Sequence, residues 1–463
     1  MTTTPQSLVE HALASSTADD CIAIVRDETS ANLRWANNTL TTNGLMHKRW
    51  VTVVSFVRGA GGMAAGSVTG SATTAEQVAE LVRNADAAAR AGSPAEDANE
   101  LVRDATSPDW DDAPVPTDIH VYDAFAPALG EAFGRAHDGG RLLYGFVNHE
   151  LTTTYLGSTT GLRLRHVQPT GHYGCTGKTA DLTSSAWVGG ATRDFTDVDA
   201  LAMEAELATR LGWAGRRVDL PAGRYDTILP PSAVADLMID AYWYAGARTA
   251  HEGQSVYSQR GIGGTRIGEE IVKPGVHLWS DPAADGLACA PFVVAASSDN
   301  ESSVFDNGLP LERTDWIRDG RLTALLQTRH TAEMTGQPVT PAIGNLALTV
   351  DAATGDIDDL VAGTERGLLL TCLWYIREVD PQTLLLTGLT RDGVYLVEGG
   401  EITGAVNNFR WNESPVDLLR RFTHASQTVP SFSREWGDDY FSRTATPALR
   451  VPDFNMSSVS QAL

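Results

Sequence analysis

Hydrolysis by zinc needs two imidazoles, a third ligand and a carboxylate that can activate bound water. The histidines of this chain offer only partial versions of that set. His149-Glu150 runs on into Leu151, Thr152 and Thr153, and His251-Glu252 into Gly253, Gln254 and Ser255. Neither pair has the second histidine that a helical HExxH site requires. His166, His172 and Cys175 form H-x5-H-x2-C, a metal-compatible trio in the glycine-containing segment around QPTGHYGCTG.

Other chemistries have weaker footholds. Ser184, Ser185 and Ser255 lack the G-x-S-x-G elbow of a nucleophilic serine. Gly177-Lys178-Thr179 ends like a phosphate loop, but His172 stands where the first glycine of that loop belongs. The glycines of RGIGGTRIG lack the strand and helix that would frame a dinucleotide site. Tyr242, Trp243 and Tyr244 follow Leu237, Met238 and Ile239 as an aromatic cluster, suited to core packing or to a subunit or peptide contact. In RTDWIRDGRL, Asp315 and Arg318 flank the apolar pair Trp316-Ile317 on a hairpin, a further candidate contact surface without a catalytic role.

With 463 residues, 42% of them hydrophobic, the chain can bury more than one core, so several domains are expected. The formal charge of -23 repels polyanions, and no local basic patch is legible, so no nucleic-acid partner is expected. Cys21, Cys175, Cys289 and Cys372 are too few and too scattered for a disulfide framework. No apolar stretch approaches the length of a membrane span and the first residues lack a secretory pattern. A reduced, cytoplasmic protein without a membrane partner is the expectation.

The elements that must position these residues follow from periodicity. A short helix over Thr4 to Ser16 precedes strands at Cys21–Arg26 and Ser30–Trp35, with turns at Asn37-Asn38 and Asn43-Gly44. WVTVVSFV is a dense strand, and a glycine turn separates it from Met63–Val68. Thr73 or Thr74 caps a helix whose Val78, Leu81, Val82, Ala85 and Ala89 make one apolar stripe. Helices are expected again at Val121–Ala136 and Ala200–Leu211. After the strand in GRYDTILPP, Pro231 blocks continuation and Ser232 caps an amphipathic helix. Beyond Gly268 strands and turns dominate, with PFVVAA read as a strand, VYLVE as a hairpin strand framed by Asp392-Gly393 and Gly399-Gly400, and a late helix over Ser414–Arg421. The fold class is α+β: an N-terminal sheet covered by helices and a large β-rich C-terminal domain. The boundaries are residues 1–95 for the N-terminal α/β domain, 96–119 for a linker, 120–220 for a middle α/β segment and 221–463 for the β-rich domain.

Four segments carry a resemblance. They are AGRYDTILPPSAVADLM at Ala222–Met238, SDPAADGLACAPFVVAA, the run VFDNGLPLERTDWIRDGRLTALLQTRHTA at Val304–Ala332, and GLTRDGVYLVEGGEITGAV at Gly388–Val406. Together they resemble the TldD/PmbA family, cytoplasmic proteins associated with peptide trimming and once described as modulators of DNA gyrase; the likeness is to the PmbA, or TldE, branch. In the catalytic branch the strand resembling DTILPP leads into a helix bearing HExxxH, whose histidines bind zinc. The matching positions here are Ile239, Asp240 and Tyr244, and no cysteine follows Cys372, where that branch has a ligand near its end. The resemblance therefore implies a subunit with no zinc of its own. It would pair with a zinc-bearing TldD-like partner and hold unfolded peptide, and whether it forms a homo-oligomer without that partner stays open. Two other readings stay open: an autonomous metalloprotease using His166, His172 and Cys175, and a peptide-binding scaffold without enzymatic function.

Overall fold

A computed structural model describes residues 3–259, 263–437 and 443–460. Its first layer is one antiparallel sheet in the order β3-β2-β1-β4-β5-β6. The strands are β1 (Asp20–Ala36), β2 (Thr39–Gly59), β3 (Gly62–Ser71), β4 (Arg141–Ser158), β5 (Arg163–Thr179) and β6 (Ser185–Thr192). Asn37 and Asn38, at φ 50° and 58°, supply the left-handed residues of a two-residue hairpin turn. Asn43-Gly44 is not a turn: both residues lie inside β2, opposite Leu33 and Asn32. The two short strands expected before Trp35 are likewise one. Because β1 pairs with β4 from Ile22 to Trp35, the segments 1–95 and 120–220 build a single sheet, and residues 96–119 connect two parts of one layer.

Alternation gives this sheet two distinct faces. One is covered by α1 (Pro5–Ser15), α2 (Ala75–Ala91), α3 (Phe125–Asp138) and α4 (Ala200–Trp213). Thr74 caps α2 in a reciprocal arrangement with Gln77, and Val78, Val82, Ala85 and Ala89 are buried on Val25 and Val53. Each of the two buried valines contributes about 1.5–3 kcal/mol, and each alanine methyl about 0.8 kcal/mol. The opposite face meets the C-terminal half through Ile22, Ile24, Phe56 and Leu164, which pack on Phe292 and Phe305.

The C-terminal half has two sheets. The first runs β11-β10-β9-β12-β19-β18. Its strands are β9 (Val276–Ser280), β10 (Thr314–Arg318), β11 (Arg321–Leu322), β12 (Leu346–Val350), β18 (Val429–Ser431) and β19 (Thr444–Thr446). The second runs β13-β8-β20-β16-β14-β15-β7, with β17 (His424–Ala425) attached to β20. It comprises β7 (Arg217–Val218), β8 (Gly223–Leu229), β13 (Arg366–Asp380), β14 (Leu385–Glu398), β15 (Glu401–Val406), β16 (Phe409–Glu413) and β20 (Leu449–Val459). Since β13 also pairs with β14, the circuit β13-β8-β20-β16-β14 closes on itself. The expected strand PFVVAA is irregular backbone, tied to Pro310 by a single bridge at Phe292.

Helix α5 (Pro231–Trp243) packs on β8 and β13 of one sheet and on β18 and β19 of the other. Pro231 is its first residue, with Pro230 at the cap, since proline's missing N–H is no loss there. Ser232 therefore sits inside the first turn and caps nothing. The helix is not amphipathic either: every residue from Ala233 to Tyr242 is buried, because sheets lie on both sides of it. The remaining helices are short: α6 (Ala247–His251), α7 (Arg329–Thr335), α8 (Ile357–Ala362) and α9 (Pro415–Arg421), the last capped by Ser414 as expected. Gly399 and Gly400 make the β14–β15 turn, at φ 61° and 82°. Asp392 and Gly393, by contrast, lie within β14 as a bulge, at φ 52° and 127°, where the register against β13 shifts.

Candidate functional site

Two acids four residues apart, Asp236 and Asp240, project from one face of α5 toward the loop that leaves β18. That loop satisfies them residue by residue. The Ser433 hydroxyl donates to Asp236 Oδ1, and the Glu435 N–H donates to the same oxygen at 3.1 Å. The Trp436 indole N–H donates to Asp240 Oδ2 at 3.2 Å, and its ring packs edge-on against Trp243 with centroids 4.9 Å apart. Glu435 turns the other way: its carboxylate accepts the Tyr375 and Ile376 N–H groups, each at 3.1 Å, and lies 3.6 Å from Arg377.

Asp236 and Asp240 both feel the charge of Glu435, which Arg377 pairs, and desolvation is the largest influence on the two aspartates. Burial drives the Asp236 carboxyl well above the ordinary range, and its Oδ2 completes no hydrogen bond. Asp240, 4% exposed, is pushed up to about 7, first by burial and further by Glu435, against the pull of the Trp436 indole. Both shifts run toward the neutral form.

The positions matching a metal helix do not fit zinc. Ile239 is fully buried in the main core and offers no donor atom. Asp240 is engaged by Trp436. Tyr244 caps the C-terminal end of α5, and its phenol is raised to about 12 by burial and by the charges of Glu378 and Asp240, far from the phenolate a ligand would need. Among the described residues no group of three His, Cys, Asp or Glu side chains is disposed around a common metal position.

The alternative trio comes apart on β5. His166 and His172 share a face of the strand by the two-residue period, and Cys175 lies on the other. His166 pairs with Gln168 at 3.1 Å, and His172 stacks on Phe432 with centroids 5.6 Å apart. Cys175 is sealed in the helix-side core, where burial pushes its thiol up to about 12.

Of the proposed contact residues, Tyr242 is 1% exposed, exchanges hydrogen bonds with the Ile343 backbone and packs on Trp316. It is a core residue and has no surface for a subunit or peptide contact. Trp243 is half-buried against Trp436. Asp315 and Arg318 pair with each other on β10, beside the Asp319-Gly320 turn to β11. Sequence reasoning missed Asp236 and the whole Ser433–Trp436 loop. An available signal was a pair of acids at i and i+4 within the apolar run AVADLMIDAYW.

A family model described as the PmbA/TldA metallopeptidase C-terminal domain matches residues 222–458, which includes α5 and the loop that seals it. The chain belongs to the PmbA/TldD family. Solved structures extend the likeness of fold to nearly its whole length. TldE from Thermococcus kodakarensis superposes with a TM-score of 0.75 at 15% identity, covering 97% of this chain and 99% of that one. A protein titled as a modulator of DNA gyrase from Thermotoga maritima gives 0.73 at 16%, over 97% and 99% of the two chains. One so titled from Bacteroides thetaiotaomicron gives 0.73 at 13%, over 98% of each. No curated protein matches the chain. The PmbA/TldD resemblance read from the four sequence segments, and the α+β class, both hold.

Proposed function

We propose that this chain is the non-catalytic, peptide-holding subunit of a peptide-processing metalloprotease assembly in the cytoplasm, working beside a zinc-bearing relative. One observation carries the reading: the helix in the metal-binding position has Ile239 turned into the core, Asp240 closed over by Trp436, and Tyr244 in place of an imidazole. A family helix that has filled its site with apolar and aromatic packing has no need of a metal to hold it in place. Hydrolysis of the amide then belongs to the partner, and this chain orients the peptide.

A cleft of about 570 Å³ between the uncovered face of the N-terminal sheet and the C-terminal half supports the holding role. Asn148, Glu150, Gln168 and Thr170 line it with short polar groups, which suit an extended backbone more than any one side chain. Co-purification followed by native mass and metal analysis tests the proposal. A fixed-ratio complex is expected in which zinc stays with the partner after separation. Tight stoichiometric zinc on this chain alone, together with peptide cleavage lost in Asp240→Asn, would overturn it.

A further inference from the structure

A chain with a formal charge of -23 nevertheless builds a cationic cleft. It lies where β5 and β6 of the first sheet meet β14 and β7 of the C-terminal half, with a volume of about 430 Å³, large enough for a small ligand. Lys178, Arg217, Arg391 and Arg434 line it, and Asp392 is the sole carboxylate among its described lining residues. Asp392 is already committed: it accepts from Ser185 at 3.0 Å and from Arg434 at 3.1 Å, with Arg391 3.9 Å away. Arg217 pairs with Asp219 at 3.8 Å and Arg391 and Arg434 share Asp392, so among the described residues the cleft keeps a surplus positive charge centred on Lys178 and this arginine pair.

The cations are held in place by structure. The Arg434 guanidinium is clamped between Trp187 and Trp374, 4.7 Å from each ring, and touches Cys372 Sγ. The Lys178 ammonium lies 5.6 Å over Tyr144 and has no ion-pair partner among the described residues. Arg391 lies 5.7 Å over the same Trp374, with its side chain 40% exposed. The β14 bulge sets this arrangement. A side chain at Gly393 would collide with Thr371 and with the Tyr395 hydroxyl, so only glycine lets Asp392 swing into the cleft. That Tyr395 hydroxyl belongs to the same lining, is buried beside Thr371, and completes no hydrogen bond. The Ser184 and Asn408 side chains add neutral polar atoms around the cations.

The geometry points to a binding site for an oxyanion-bearing ligand, a carboxylate or phosphate group held by Lys178 and Arg391 over the fixed Arg434. Fixed guanidinium and ammonium donors with surplus charge form the strong class of charge-assisted hydrogen bonds. The inference stands independently of the subunit reading, because it concerns a cleft away from the α5 face. Calorimetric titration of the full chain at low salt separates the two sources of such a group. One arm uses inorganic phosphate and pyrophosphate; the other uses a short Asp/Glu peptide with an amidated end, with a neutral peptide as reference.

Saturable binding of either anion, weakened about tenfold in Lys178→Gln/Arg391→Gln and by added salt, is the expected result. The arm that binds more tightly identifies the source. The double variant's thermal transition, unchanged from that of the parent, would show that it folds. The proposal fails if no anion binds more tightly than about 10 mM, or if the double variant binds as the parent does.

Discussion

One loop serves two sites of opposite sign. Toward α5, residues 433–436 close over an acidic face, and desolvation pushes the carboxyls they cover upward toward the neutral form. Toward β14, Arg434 of the same loop leads a cationic cleft that remains open to solvent along Lys178 and Arg391. The contrast shows what burial does with charge. Where the walls are tight the protein protonates or pairs its ionisable groups; where they are wide it can keep an excess that attracts a ligand. A sealed acidic face on α5 and a charged cleft coexist within one chain because a single strand-to-loop segment separates the environments.

The largest test is pH. Asp240 sits at about 7 in the folded chain against an ordinary 3.8, so the folded state holds a proton that the unfolded state releases between those values. Its contribution to stability is therefore full below about 4 and lost as pH rises through 7, amounting to roughly 4 kcal/mol for that displacement. Denaturant titrations across this window are expected to show the decline in the parent and a flatter profile in Asp240→Asn. A parent profile as flat as the variant's would mean that the α5 face is open to water.

Next comes Asp236→Ala, which strands the Ser433 hydroxyl and the Glu435 N–H and is expected to cost about 3 kcal/mol, whereas the isosteric Asp236→Asn should cost less than about 1 kcal/mol because it keeps an acceptor for both donors and burial already pushes the native carboxyl toward its uncharged form. Urea midpoints compare the two. Arg434→Met removes the guanidinium from between two tryptophans and leaves Asp392 without its closest cation; about 2 kcal/mol is expected. Lys178→Gln completes the series at within about 0.5 kcal/mol of the parent, since its half-buried ammonium has no ion pair among the described residues to lose. A stability loss at Lys178 as large as that at Arg434 would erase the distinction between a structural cation and a ligand-facing one.

The helices are legible because an apolar stripe repeats at helical spacing, as from Val78 to Ala89 in α2, and because threonine and serine mark their starts. Turn residues are less reliable guides, since asparagine, aspartate and glycine have more than one use. Asn37-Asn38 reverses the chain, but Asn43-Gly44 extends a strand and Asp392-Gly393 bends one. The deciding factor is the register against the neighbouring strand, Leu33 and Asn32 for the first pair and Leu370 to Cys372 for the second, which the dipeptides themselves do not reveal.

The same limit governs the sites. Ile239, Asp240 and Tyr244 could be located because they fall in one continuous, family-like segment. The groups that close over them sit nearly two hundred positions later. The cationic cleft was not legible at all: Lys178, Arg217, Arg391 and Arg434 are scattered through an acidic chain and converge only when β5, β7 and β14 assemble.

The closed circuit in the C-terminal half also dictates an order of assembly. Gly223, at its beginning, is hydrogen-bonded to a strand that contains Met456, so the ring has a gap until the ribosome has delivered nearly everything between them. During synthesis α5 waits with both covering walls unfinished, since β18, β19 and β20 all lie beyond residue 428. Residues 449–459 act as the clasp of this half, and a nascent chain stalled before them would expose its most apolar helix to chaperones and proteases.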